Sequence, residues 1–487
     1  MAAPPRQHVT RQAAQPPRAR GILVLAICCS SIFIVGLDTS ALNVALPSIQ
    51  QDFNASIQGA QWTLASYMLV LASFLIVSAS IGDRIGRRRV FQVGLAVFAL
   101  GSLLCALAPN LGWLIAFRVL QGLGGSMLNP VALSIITNTF TERRARAKAI
   151  GFWGATVGVS VATGPILGGV LVQAFSWRAI FLINVPIAIT AYVLAGRYIR
   201  ESMSAKHRRL DLLAQVLLVL LVGSLTYAII ELPMKGMSPA ILGFFLGAAV
   251  AFVVLVWWEL RRREPLIDLR FFRSPPFSGA TAIALLAYTA QGGFLLLNTF
   301  YLQDVLAFSP VQAGLAILPM ATLLAVFSPI SGRVVARYGP RPSLVIGGLS
   351  VLVAGVITVV PRSDPHYFRL FFMYCLIGFG LGWTNAAITN TAVAGMPNRQ
   401  AGVAAGIAST MRQLGQTLGV AIIGSIIAGQ VVEVAQTPAF MRAYHISWAV
   451  IGAIGLANLV IGLLSTSPRA MRSARTNTER MGAAARD

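Results

Sequence analysis

Charge is scarce in this chain. Only 11% of its 487 residues are Asp, Glu, Lys or Arg, 56% are hydrophobic, and the mean hydropathy is +0.74. No single folded core could hide that much apolar surface from water, which excludes an ordinary soluble protein and makes lipid the expected solvent. Acids are the scarcer sign, 15 against 38 Lys and Arg, for a net charge of +23. In a soluble protein that excess would suggest nucleic acid. Here the cations collect in short connections between apolar runs, so no nucleic-acid partner is expected. Of the four cysteines, Cys28, Cys29, Cys105 and Cys375, all lie in apolar segments, which argues for small packing residues rather than a disulfide framework or a zinc site. His8, His207, His366 and His445 are scattered through tails and loops. No metal-ligand cluster, nucleophile motif or Gly-x-x-x-x-Gly-Lys-Ser/Thr phosphate loop occurs, so neither an enzyme, nor an ATP-driven pump, nor a bound metal or organic cofactor has residues to rest on.

What the chain has in quantity is long apolar runs. A spanning helix needs about 20 mostly apolar residues. Fourteen segments qualify, near 21–46, 61–81, 90–109, 111–138, 147–174, 178–198, 211–231, 238–259, 276–304, 311–333, 342–361, 367–393, 401–431 and 446–466. Cytoplasmic connections carry the excess of Lys and Arg. With both termini placed in the cytoplasm, only Arg178, Lys235, Arg362, Arg369 and Arg442 fall on the outer side, and only Arg118 and Arg412 lie in span interiors, away from the ends. The sequence therefore predicts an all-α integral membrane protein of the inner, cytoplasmic membrane. Residues 1–20, rich in Pro, Gln, Ala and Arg, read as a disordered cytoplasmic tail, 21–200 as a six-helix bundle, and 201–274 as an inserted helix pair with flanking loops. A second six-helix bundle is expected over 275–467, followed by a cytoplasmic tail over 468–487.

The run Gly82-Asp83-Arg84-Ile85-Gly86-Arg87-Arg88-Arg89 places an acid, two glycines and four arginines between two apolar segments. It reads as a tight cytoplasmic turn. Positive-inside anchoring would explain the arginines but not Asp83 or Gly86. The expectation is that Asp83, Arg84, Gly86, Arg87 and Arg88 form a latch that holds the cytoplasmic helix ends together in one state. An echo follows at an offset of 253, where Arg337, Gly339 and Arg341 align with Arg84, Gly86 and Arg88, while Ala336 stands opposite Asp83. Two related halves joined by an extra hairpin would give that pattern, with a substrate site near the midplane between them.

Several segments, taken in order, resemble the major facilitator superfamily and within it the fourteen-helix drug:proton antiporters. The loop run is similar to the superfamily's loop signature, with Ala79 where that signature begins with Gly. Leu37-Asp38-Thr39-Ser40-Ala41-Leu42-Asn43-Val44-Ala45-Leu46-Pro47 resembles the first-helix signature of the fourteen-helix group. Arg118-Val119-Leu120-Gln121-Gly122-Leu123-Gly124-Gly125 resembles the fourth-helix motif, whose arginine the family implicates in proton coupling. Gly164, Pro165, Gly168 and Gly169 resemble the antiporter motif of the fifth helix, although Ser160 replaces a glycine. Trp177-Arg178-x-x-Phe181-x-x-Asn184-Val185-Pro186 and Met411-Arg412-Gln413-Leu414-Gly415 also match the group. The resemblance implies a proton-coupled exporter of amphipathic small molecules, working as a monomer in the lipid bilayer with protons as the coupling ion.

Asp38 is an ionisable group inside an apolar helix, where a charge costs on the order of 2.5–3.5 kcal/mol on insertion scales, so it needs a cavity or a partner. Arg118 is the natural partner. Counting about nine residues from the outer end of the first helix and about seven from that of the fourth puts the two within roughly 3 Å in depth. Burial favours a neutral carboxyl and a nearby guanidinium favours a carboxylate. A change that separates the pair would thus switch Asp38 between holding and releasing a proton, unless the pair only fixes helix register. Trp62, Tyr67, Gln121, Asn129, Gln291, Asn298, Asn385, Arg412 and Gln413 are candidates to line a polar and aromatic cavity, because isolated polar groups facing lipid are costly. Interhelical hydrogen bonding would account for them as well. Glu231 and Asp304, at outer helix ends, read as rim positions. Export of an endogenous metabolite, lipid or amino acid would use the same scaffold, and a non-transporting sensor would have no need of Asp38 and Arg118.

Overall fold

In a computed structural model, residues 18–203, 211–262, 268–359, 367–394, 401–430 and 438–473 are described. Of the expected tails over 1–20 and 468–487, residues 1–17 and 474–487 lie outside them, while 18–20 and 468–473 are helical; His8, His207, His366, Arg362 and Arg399 also lie outside. Among the described residues there is no strand. The helices are α1 (Arg18–Asp52), α2 (Ile57–Ile85), α3 (Arg87–Ala106), α4 (Leu111–Thr139), α5 (Arg143–Ala174), α6 (Arg178–Leu182), α7 (Asn184–Tyr198), α8 (Leu212–Lys235), α9 (Pro239–Arg261), α10 (Pro275–Phe300), α11 (Pro310–Tyr338), α12 (Arg341–Val359), α13 (Tyr367–Val393), α14 (Ala401–Gln430) and α15 (Pro438–Ser465). The short α6 and α7 form one span, so the elements make fourteen crossings. Thirteen pass on length and apolarity together. The remaining one, α14, has the length at 30 residues but carries Arg412, Gln413 and Gln416.

Local chemistry sets several helix starts. Ser56, Asn110, Asp211 and Ser238 each accept a backbone N–H from the first turn of α2, α4, α8 and α9, and Ser309 with Gln312 closes a capping box on α11. The Gly82–Arg89 run is tighter than a loop. Helix α2 continues to Ile85 and α3 begins at Arg87, so Gly86 alone turns the chain, with φ +122°. Its counterpart Gly339, between α11 and α12, has φ +81°. Both angles lie where a side chain is strained and glycine is not. His445, expected in a loop, falls inside α15, where its Nδ1 lies 3.0 Å from the Thr358 carbonyl.

The helix pairings repeat. In the first half α1 packs on α5, α2 on α4, and α3 on α4 and α7; in the second α10 packs on α14, α11 on α13, and α12 on α13 and α15. Between halves, α5 meets α11 and α2 meets α14, the pairing expected of two related units facing each other across a twofold. Helix α8 touches α9, α2 and α14. It lies across the seam between the halves on one side.

That seam is closed at one end only. Away from the basic end, which carries Gly86 and Gly339, Gln303 Nε2 donates to the Val44 carbonyl at 2.8 Å, Gly314 lies against the Pro165 carbonyl, and Gly169 lies against Pro310 and Val311. Gly158 still faces Ala325. Nearer the basic end, Gly151 and Gly154 of α5 and Gly406 of α14 have nothing within 4 Å of a side chain's first carbon, and Phe152 is 67% exposed. A cleft therefore opens between the halves toward the basic end.

Candidate functional site

Asp38 and Arg118 meet in the interior of the first half. Both are fully buried, and Arg118 Nη1 lies 2.5 Å from Asp38 Oδ2. The pair is embedded in further donors. Gln121 Nε2 donates to Asp38 Oδ1 at 2.8 Å and to Ser102 Oγ at 2.8 Å, and Asn184 Nδ2 reaches Asp38 Oδ1 at 3.2 Å. Arg118 in turn donates to Gln121 Oε1 at 2.6 Å and, through Nε, to the Thr63 carbonyl at 3.1 Å. Its guanidinium sits 4.1 Å from the centre of the Tyr67 ring and 5.7 Å from that of Phe181. Four spans thus converge on one carboxylate: α1 supplies it, α4 the cation and an amide, α7 a second amide, and α2 the ring and a carbonyl. The arrangement suits a charge that water cannot reach. Both carboxylate oxygens are held, as a buried ion requires.

Small residues let α5 close on this group. A side chain at Gly168 would begin 2.9 Å from Ala41, and one at Gly164 would collide with Ser40. Ser40 Oγ, 2.7 Å from the Gly36 carbonyl, also donates to the Ser160 carbonyl of α5 at 3.2 Å. Pro165 and Gly169 form the contact with α11. These residues join the first half to the second as well as α5 to α1.

At the basic end Asp83 binds Arg87, at 2.7 Å, and Arg84 is exposed. The group that holds the start of α3 is Glu201. Its carboxylate accepts the backbone N–H groups of Arg88 and Arg89 at 3.0 and 3.2 Å, and the Ser202 carbonyl accepts Arg87 N–H. A carboxylate there satisfies orphan donors and the positive end of the helix. The expected cluster therefore divides: Asp83 and Arg87 form a pair within the turn, while Arg88 answers to a residue beyond the sixth span. Glu201 is not marked by any local motif. It is, however, the only acid in a stretch from 197 to 209 that holds five cations.

The cavity candidates separate into groups. Tyr67 and Gln121 belong to the ion pair. Trp62 donates its indole N–H to Glu231 at 3.1 Å, and Glu231 also meets Lys235 at 3.1 Å, so this supposed rim residue ties α8 to α2. Asn298 is buried and accepts the Tyr374 hydroxyl at 2.7 Å. Asn129 and Gln291 each hold a carbonyl oxygen without a hydrogen-bond partner, and Gln413 is half-buried. Asn385 and Arg412 come together with Tyr288, Thr389 and Ser328 on the second-half side of the cleft. Among the described residues no group of three or more His, Cys, Asp or Glu could hold a metal ion.

Two facing six-helix halves, a cleft open at one end and a sealed ion pair beside it define a membrane carrier. The model of the Major Facilitator Superfamily matches residues 28–420, and the chain belongs to that family. It is 36% identical over 408 residues to the multidrug resistance protein Stp of Mycobacterium tuberculosis, covering 84% of this chain and 76% of that one. It is 37% identical over 423 residues to the tetracenomycin C resistance and export protein of Streptomyces glaucescens, covering 86% and 78%. Among solved structures, a bacterial homolog of the human lysosomal transporter Spinster, described as inward-facing and unoccupied, superposes with a TM-score of 0.66 at 18% identity, covering 95% of this chain and 99% of that one.

Proposed function

We propose that the protein exports amphipathic drugs, antibiotics or dyes across the cytoplasmic membrane by alternating access, driven by protons entering through Asp38. The observation that carries this reading is the fully buried Asp38–Arg118 pair with Gln121 and Asn184 on the same carboxylate. The names of the two relatives support the substrate class. The excess of Lys and Arg at the basic end supports a cytoplasmic placement of both termini, which makes the open cleft inward-facing.

In the paired state Asp38 accepts three donors. A proton on the carboxyl removes the charge that holds Arg118 and turns an acceptor into a donor, so the pair loosens and α1, α4 and α7 lose their common tie. The cleft opens inward while the pair is intact. Proton entry from the outside would occur when α5 parts from α11 and α2 from α14 at the opposite end. Each unit charge crossing 100 mV contributes about 2.3 kcal/mol, so one or two protons suffice for steep export of a partitioning substrate.

The test is transport by the purified chain in proteoliposomes, with a lipophilic dye and an imposed pH gradient. Gradient-driven dye movement that disappears in Asp38→Asn is the expected result. Movement that persists in Asp38→Asn removes Asp38 from the coupling step, and a gradient-independent leak in both proteins contradicts coupled export.

A further inference from the structure

The second half carries a cation in the cleft that no acid among the described residues neutralises. Arg412 of α14 is half-buried, and of its five N–H groups only those on Nη2 make hydrogen bonds among the described residues, to Thr389 Oγ1 at 2.6 Å and to the Asn385 carbonyl at 3.1 Å. Its Nε is buried with no hydrogen-bond partner. The guanidinium carbon lies 5.7 Å from the centre of the Tyr288 ring, and the Tyr288 hydroxyl donates to Asn385 Oδ1 at 3.2 Å. Asn385, Thr389 and Tyr288 are themselves partly accessible, so the group borders open space rather than the packed core.

Between residues 275 and 465 the chain has only Asp304, Asp364 and Glu433. Asp364 and Glu433 lie outside the described residues. Asp304 follows the far end of α10. Because Gly415 packs on the Leu285 carbonyl, Arg412 is level with the first half of α10, and Asp304 lies about 27 Å further along the axis. Arg118 has its own carboxylate. Among the described residues no acid pairs with Arg412, and a positive charge within a membrane span is costly unless something answers it. Aromatic surface stands on the same helices: Phe327 of α11 meets Phe379 of α13 at 4.6 Å between ring centres, and Phe379 meets Trp383 at 6.0 Å.

We infer that Arg412, positioned by Thr389 and Asn385, is the seat for a planar oxyanion on an aromatic substrate, such as a carboxylate, a sulfonate or an ionised phenol. The inference rests on the efflux reading and narrows its substrate class. The guanidinium fork matches a planar oxyanion with two parallel hydrogen bonds, and the buried, unpartnered Nε shows that the hydrogen-bonding capacity of the group is not filled by its neighbours. A permanently cationic amphipath meets repulsion at the same place. Export of a monoanion also fits the energetics, because an outward negative charge and an inward proton move charge in the same direction across the membrane. A purely structural Arg412, tying α14 to α13, would leave the site indifferent to substrate charge.

The experiment uses one aromatic body with three heads: pyrenebutyrate, pyrenebutanol and pyrenebutyl-trimethylammonium, titrated into the full chain in phosphatidylcholine nanodiscs by energy transfer from tryptophan. Butyrate is expected to bind about ten-fold tighter than the alcohol, a gap of 1.4 kcal/mol by the affinity relation, and the ammonium most weakly. Arg412→Gln should bring butyrate down to the alcohol's affinity and leave the alcohol unchanged. Equal binding of all three heads, or a butyrate preference that survives Arg412→Gln, overturns the inference. If Arg412→Gln no longer binds the alcohol, Arg412→Lys decides: it keeps the charge without the fork, so about a five-fold loss for butyrate alone supports the seat, and an unchanged butyrate affinity overturns it. Displacement of butyrate by added phosphatidylglycerol would assign the seat to a lipid headgroup and overturn a substrate role. No proton gradient enters these titrations, so they can fail while gradient-driven export of pyrenebutanol succeeds, and the reverse.

Discussion

Asp38 is tied to α4 and α7 by three side-chain bonds, and its substitution has two separable effects. Asp38→Asn leaves Arg118 buried without its counter-charge, and breaking one side of a buried pair costs about 3–5 kcal/mol. The expected result is a lower melting temperature for Asp38→Asn in detergent. The double change Asp38→Asn with Arg118→Gln should recover part of that loss and none of the transport, because only the charged pair can carry a proton. Full thermal stability in Asp38→Asn would mean that Arg118 finds another partner and that the pair is not the structural centre of the first half. The pairing itself was legible in the sequence, since two lone charges at matching depth in apolar helices need each other. Asn184 was visible only as part of the Trp177–Pro186 run, and nothing at that position announced a bond to Asp38. Side-chain direction across three helices is not encoded in hydropathy.

The helices follow from apolar length, and their ends follow from caps and glycines. Apolar length anticipated the fourteen long helical elements, of which thirteen are apolar enough to cross a membrane, but misplaced the Gly82–Arg89 run, because arginines at a helix end snorkel and do not stop the helix. Gly86 stops it. A side chain there would sit 2.7 Å from the Glu201 carboxylate and at a positive φ, so Gly86→Ala should cost about 1–3 kcal/mol, seen as faster amide exchange at the start of α3. Glu201→Gln should speed the same amides less, since an amide still accepts one bond. The inserted pair has a comparable anchor. Burial would raise the carboxyl of Asp211, but the Ala214 N–H, the Trp258 indole and the Arg262 guanidinium outweigh it and hold the group below the usual carboxylate range. A depressed carboxyl contributes stability that is present above its unfolded value, about pH 4, and is lost as pH falls through the folded value. Exchange in the α8–α9 hairpin should therefore rise selectively below about pH 4, and Asp211→Asn should show that higher exchange already at neutral pH.

The whole molecule is two similar units that meet at one end and part at the other. Helix pairing repeats between them, and the closed end rests on backbone-close contacts such as Gly169 with Val311 and Gln303 with Val44. A cysteine pair at Val44 and Gln303, oxidised to a cross-link, should hold the cleft open at the basic end and stop transport until it is reduced. Transport that continues through the cross-link would mean that this end never opens. Repeat and helix count were readable from the loop echo and the spacing of apolar runs; which end stands open was not, because one sequence serves both states. In the proposed export cycle, substrate and proton compete through the Asp38–Arg118 pair. By linkage, if a proton weakens substrate binding, substrate must expel protons. The direct measurement is proton release into unbuffered solution when a transported dye is added to the purified chain, followed over a range of starting pH. The native chain is expected to release protons and Asp38→Asn none, with dye binding retained; equal release from both, or none from either while dye binds, contradicts competition at Asp38.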